Sequence, residues 1–285
     1  MKPMATKIVV IIIAAAIVAP AAYFAYEYYS KSNVPSSIQP FQYIPGNSTV
    51  ISTVHTNGTE YYLYMDGGSI GIVANISAIS QVDPNLTASN SPAAVSGSGT
   101  AGLFSGSNVK TITYDHVTVY EIQNINVSGI LQNMLNVSLK DTNTTANIFA
   151  YDTSGNFIVI GEQKAINESI SAHLSSRDAV SFKGYMNDSS SISLYYRANN
   201  TIPAISYITM NSTSNKTYFN INPVNSNDLQ VDKFLIQTAI SNSNVSREIG
   251  NNYTITISNS QIHLNIDKGY TSLPAVLKTL NIGVI

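Results

Sequence analysis

Apolar residues recur along this chain with two periods, and the change from one to the other marks out its elements. Alternation with period two, the mark of a half-buried strand, runs through Thr49 to Thr56 and Glu60 to Met65 on either side of Asn57-Gly58. That dipeptide is a preferred hairpin loop because both residues accept positive φ. The same idiom returns at Thr111 to Tyr114 and Val117 to Ile122 around Asp115-His116. It recurs at Ala146 to Tyr151 and Phe157 to Ile160 around Ser154-Gly155-Asn156, and at Ile205 to Met210 and Thr217 to Ile221. A last hairpin, Tyr253 to Ile257 with Ile262 to Ile266, puts Ile255, Ile257, Ile262, Leu264 and Ile266 on one face.

Helical spacing follows these strand pairs. Val127, Ile130, Leu131, Met134 and Leu135 share one face of a helix, as do Ile166, Ile170 and Leu174. Val231, Phe234 and Leu235 lie on a third helix. Ser272 caps a fourth that carries Val276, Leu277 and Leu280, with Pro274 in its first turn. The order strand, strand, helix runs through both 47–177 and 178–285, which predicts two related halves. Hairpins followed by helices predict an α+β fold of antiparallel sheets with helices on one face. Between the elements, 84–108 is an uncharged Ser/Gly-rich stretch that reads as a long loop, and 30–46, with Pro35, Pro40 and Pro45, reads as a stalk.

Ahead of these elements lies an uncharged run, Ile8 to Tyr26. As a helix its nineteen residues span about 28 Å, close to a bilayer's hydrocarbon core. Lys2 and Lys7 precede it, so the positive-inside bias predicts a single-pass anchor in 1–29, with a cytoplasmic N-terminus and the remainder outside. The alternative is a signal peptide cleaved near Ala19 to Ala22. A pilin-like helix, which a filament subunit would carry, fits poorly because Ala5-Thr6-Lys7 lacks the usual processing order and no Glu sits early in the run.

Composition sharpens the location. Fourteen Asn-x-Ser/Thr sequons lie downstream of the apolar run, at Asn47, Asn57, Asn75, Asn85, Asn126, Asn136, Asn143, Asn167, Asn187, Asn199, Asn211, Asn215, Asn244 and Asn252. Chance placement would give roughly six. A sequon accepts a glycan only outside the cytoplasm and on an exposed Asn. Charged residues are only 11% of the chain, and Asn, Ser and Thr take their place at the surface. Such a surface changes little with pH and suits an acidic exterior; with no buried carboxylate network in view, stability is expected to vary little with pH as well. The net charge of −2 and the absence of a basic cluster exclude a nucleic-acid partner on electrostatic grounds. With no Cys, disulfides and thiolate chemistry are excluded. Dense sequons, no Cys and a plain anchor are the style of an archaeal surface protein. The expected partners are the lipid bilayer, N-linked glycans, and other envelope proteins or further copies of the chain.

Two segments carry a family resemblance. Phe157-Ile158-Val159-Ile160-Gly161, running into Lys164-Ala165-Ile166, and the earlier strand Val117-Thr118-Val119-Tyr120 resemble a bacterial family of membrane-anchored extracytoplasmic proteins of unknown function. The resemblance covers about a third of the chain. It implies an anchored α+β protein and brings no activity with it.

Candidate chemistry is sparse. Gly67-Gly68-Ser69-Ile70-Gly71 matches the G-x-S-x-G nucleophile elbow, for which His173 or His263 would serve as base. An elbow normally follows several parallel strands, whereas this one follows an antiparallel hairpin, so a Gly-rich turn is the expected reading. Gly97 to Gly102 matches G-x-G-x-x-G without the strand and helix that a dinucleotide needs. Ser107 and Lys110 have serine–lysine spacing but no K-T-G partner. His55, His116, His173 and His263 show no local ligand spacing. One Tyr from each of Tyr61-Tyr62 and Tyr195-Tyr196 is a candidate for a sugar- or peptide-binding face. No catalytic, cofactor or metal residue is assigned. The expectation is a glycosylated surface protein that binds, adheres or builds the envelope; an anchored solute- or sugar-binding module is the alternative, ahead of a secreted serine hydrolase or filament subunit.

Overall fold

The computed structural model describes residues 39–56, 59–75, 109–126, 145–153, 157–197, 205–241 and 252–269. The expected anchor, the Asn57-Gly58 loop, the 84–108 stretch, the helix at Val127 to Leu135, the turn at Ser154 to Asn156 and the helix after Ser272 all lie outside the described residues.

The described chain begins with a 3-10 turn, η1 (Gln39–Tyr43), and the strands β1 (Val50–Thr56), β2 (Thr59–Asp66), β3 (Ser69–Asn75), β4 (Val109–Tyr114), β5 (Val117–Asn126), β6 (Thr145–Asp152) and β7 (Phe157–Gly161). Helix α1 (Gln163–Leu174), a second 3-10 segment η2 (Val180–Tyr185), β8 (Ile192–Arg197), β9 (Ile205–Ser212) and β10 (Thr217–Pro223) follow. A short 3-10 turn η3 (Ser226–Asp228) leads into helix α2 (Leu229–Ser241), and β11 (Tyr253–Ser258) and β12 (Gln261–Ile266) close the series. The architecture is mostly antiparallel sheet with a few helices, an α+β arrangement.

Contacts divide the chain into two compact units. In the unit holding Thr56–Lys183 and 39–48, the strand order is β2-β3-β7-β6-β5-β4, and the described pairings are antiparallel. Helix α1 packs on β3, β6 and β7 and on η1. It buries Ala165, Ile166, Ser169, Ile170 and Ala172, whereas Leu174, expected on the same face, is exposed at the helix end. Phe41, Tyr43 and Ile44, expected in a stalk, are buried: Phe41 meets the Tyr62 ring edge-on at 5.3 Å, and Pro45 bridges to Asp178. Three large apolar side chains outweigh the prolines around them, because burying each removes a whole side chain from water.

The other unit holds Thr49–His55 and the residues from Gly184 on, in the strand order β1-β8-β9-β10-β12-β11. β1 pairs with β8 from Val50↔Tyr196 to Val54↔Ile192. Its core contains Ile208, Met210, Phe219, Ile221, Ile262 and Leu264, joined by Ile236 and Ile240 of α2. Helix α2 turns differently from expectation. Val231, Phe234 and Leu235 point to solvent, and Asp232, Ile236 and Ile240 are buried. The helix carries two apolar stripes, and the one with i, i+4 spacing at Ile236 and Ile240 meets β11 and β12.

Three two-residue turns have both central residues at positive φ: Gly67-Gly68, Asp115-His116 and Asn259-Ser260. This is the turn whose twist matches paired strands. Asp and Asn tolerate the left-handed region, and His is among the residues enriched there.

Candidate functional site

The expected glycan acceptors come first. Among the described sequons, Asn47, Asn187, Asn215 and Asn252 are exposed, and Asn75, Asn167 and Asn211 are half-exposed. Asn126 lies at the end of β5; Asn57, Asn85, Asn136, Asn143, Asn199 and Asn244 fall outside the described residues. Two of the exposed acceptors sit on local bends, as Asn side chains favour. Asn47 follows the Pro45–Gly46 bend, and Asn187 Oδ1 accepts from Ser189 N–H at 3.0 Å and from Ser189 O–H at 2.7 Å.

The serine motif resolves into hairpin mechanics. Gly67 and Gly68, at φ 49° and 80°, form the β2–β3 turn. Gly71 lies directly opposite Tyr64, and a Cβ there would fall 2.1 Å from the Tyr64 ring. The Tyr64 ring therefore lies across Gly71 while its hydroxyl donates to the Ala165 carbonyl of α1 at 2.9 Å. Both outer glycines of the motif thus have packing reasons. Ser69 is buried, and the candidate base of its own unit, His173, lies toward the far end of α1. His173 is exposed, and its ring lies tilted against Tyr43 with centroids 4.6 Å apart, near the C-terminal end of α1. Lys164, which sits over Gly67, lies nine residues earlier, about 14 Å along the helix. His263 belongs to the other unit, where its ring bonds Asn220 and Ser258, each at 2.8 Å. Ser69→Ala is expected to leave labelling by serine-directed probes unchanged across ester and peptide substrates; labelling that this variant abolishes would establish a hydrolase.

The tyrosine pairs line no exposed face. Tyr61, Tyr62, Tyr195 and Tyr196 are all buried. Adjacent strand residues do face opposite ways, but both faces are covered at these positions. Burial pushes the Tyr61 hydroxyl up to about 12. In the second unit Tyr195 joins Tyr185 and Tyr207, with ring centroids 5.3 to 5.6 Å apart, and of these Tyr185 reaches the surface. His55 is half-buried on β1 and His116 is exposed in the β4–β5 turn. Lys110 is exposed on β4; its partner Ser107 and Gly97 to Gly102 lie outside the described residues.

Sequence reasoning missed a polar cluster where the β2–β3 turn meets α1. Asp66 is buried at the end of β2. Glu168 of α1 lies within hydrogen-bonding reach of it, and Lys164 Nζ is 3.6 Å from Glu168 Oε1. Beneath them Ser169 donates to the Tyr43 carbonyl, so Tyr151 donates to Ser169 Oγ at 2.7 Å. Burial raises Tyr64 and Tyr151 far above the ordinary tyrosine range, so both are neutral donors at any physiological pH. Burial, followed by Asp66, raises Glu168, and Lys164 opposes the shift. In the second unit burial and the neighbouring Asp228 raise Asp232. The sequence offered one sign of the cluster, the i, i+4 pair Lys164–Glu168; Asp66 lies far away along the chain.

Comparison with protein-family models, curated proteins and solved structures finds no match to this chain. The resemblance of Phe157 to Ile166 and Val117 to Tyr120 therefore stands on those residues alone.

Proposed function

We propose that the chain is a membrane-anchored, N-glycosylated extracytoplasmic surface protein that acts by binding or coating and not by catalysis. One observation carries the reading: fourteen sequons, about twice the chance number, all follow the apolar run. The exposed or half-exposed position of seven described acceptors supports it, since a buried Asn could not carry a glycan in the folded protein. Burial of Tyr61, Tyr62, Tyr195 and Tyr196 favours this reading over a sugar-binding module that would use them. The β2–β3 turn and the packing of Tyr64 across Gly71 account for the glycines of the serine motif without a hydrolase.

The finer architecture belongs to the same proposal: two related halves, with helices on one face of each sheet, behind one N-terminal transmembrane helix. In its support, each unit has an antiparallel hairpin, β6–β7 or β9–β10, that leads to a helix packed on its own sheet. Among the described residues no helix is long and apolar enough to cross a membrane, and Ile8 to Tyr26 lies outside them.

Protease treatment of intact cells tests the proposal directly. The expected result is release of ectodomain peptides bearing glycan on Asn47, Asn187, Asn215 and Asn252, with a short anchor left behind. An intact, unmodified chain in the cytosolic fraction would overturn it.

A further inference from the structure

We propose that Asp66 and Glu168 form a carboxyl pair that shares one proton, making the Thr56–Lys183 unit firmer in acid than at neutral pH. This inference rests on the geometry of one unit and not on the location proposed above.

Asp66 is only 7% exposed, and neither its Oδ2 nor Glu168 Oε2 meets a hydrogen-bond donor. Both atoms are shielded from water and belong to carboxyl groups within reach of each other. Lys164 pairs with the other Glu168 oxygen, Oε1, at 3.6 Å, and so does not satisfy Oε2. Buried acceptors without donors are rare in folded proteins because desolvation goes uncompensated. A single proton held between two carboxyl groups that interact at close range lets one donate to the other, the solution that close carboxylates adopt because they cannot both ionise. A divalent cation suits the place less well. No third His, Cys, Asp or Glu among the described residues joins the pair, and the Lys164 ammonium already stands beside it.

The other titratable group facing the pair is Tyr64 of β2, which burial keeps neutral. Lys164 is then the only charge from α1 that opposes proton uptake. Glu168 is raised in the folded state above the ordinary value of 4.5. The stabilisation is therefore complete below that ordinary value and is lost as pH rises through the higher folded one. The sign is opposite to acid denaturation. Sparse charge led to the expectation of a stability that hardly varies with pH; the pair gives it a slope, and one that favours an acidic medium.

Thermal unfolding of the purified full-length chain between pH 3 and pH 8 tests this, with Glu168→Gln and Lys164→Met alongside. A tenfold difference in proton affinity between folded and unfolded Glu168 is worth roughly 3 °C. The wild-type midpoint should fall by that order as pH rises from 4 to 7. Glu168→Gln donates to Asp66 at every pH, so it should unfold above wild type at pH 7 and lose this part of the slope. Lys164→Met should move the transition to higher pH. Carboxyl carbon NMR of wild type should show one side chain titrating above the ordinary range, which keeps the test valid if a variant fails to fold. An unchanged slope in Glu168→Gln, or no such carboxyl in the NMR titration, would overturn the proposal. So would stabilisation of wild type at pH 7 by millimolar calcium that Glu168→Gln abolishes, since that would make the pair a cation site.

Discussion

Phe219→Ala should lower the unfolding midpoint of the chain by roughly 10 °C, the consequence of about 3–5 kcal/mol lost from the core. Phe219 has no exposed surface. On β10 it stands between Met210 of β9 and Leu264 of β12, both directly opposite it and both buried. Truncation leaves a cavity whose lining is fixed by two antiparallel ladders, so collapse around it is limited. A loss of this size is a large share of the total stability of an ordinary domain. Phe234→Ala on α2 is the matching control. Its ring is 66% exposed, and the expected change is within about 0.5 kcal/mol. Scanning calorimetry of the two variants checks both values. Equal losses would mean that the exposed stripe of α2 is covered in the native protein.

Gly161→Ala should reduce stability by about 1–3 kcal/mol, although it adds a single methyl group. Gly161 closes β7 directly opposite Gly71 of β3. A Cβ at Gly161 would lie 2.4 Å from the Ile70 carbonyl oxygen and 2.9 Å from the Gly71 Cα. Both obstacles are backbone atoms, so no rotamer change can relieve the overlap and the two strands must part. Ile70 also accepts from the Glu162 N–H at the start of α1, at 3.0 Å, so parting the strands disturbs the helix entry as well. Gly184→Ala meets nothing within 4 Å and should be close to neutral. Urea unfolding of the two variants measures the contrast, and a neutral Gly161→Ala would mean that β3 and β7 are not in this register.

The hairpins and helices were legible because their signals are local. At Asn259-Ser260 and Asp115-His116 the turn falls where the alternating pattern breaks, and the flanking strands extend only a residue or a few beyond their expected ends. β3 went unread as a strand, because Ser69 to Asn75 shows no strict apolar–polar alternation. The G-x-S-x-G match shows the converse. Its spacing was real, but its cause was a turn and the Tyr64 ring lying across Gly71, which no local pattern displays.

By itself the sequence determined the α+β class, the places of the turns and the sequon pattern, because each depends on residues within a few positions of one another. The tertiary structure decided the rest. It chose the partner of β1, the stripe of α2 that meets the sheet, the burial of all four paired tyrosines and the meeting of Asp66 with Glu168. Each of these outcomes depends on groups far apart in the chain, and on which of several comparable apolar surfaces excludes the most water once they are brought together. Periodicity along the chain can show that a helix has a stripe to bury, but only the opposing sheet selects which one.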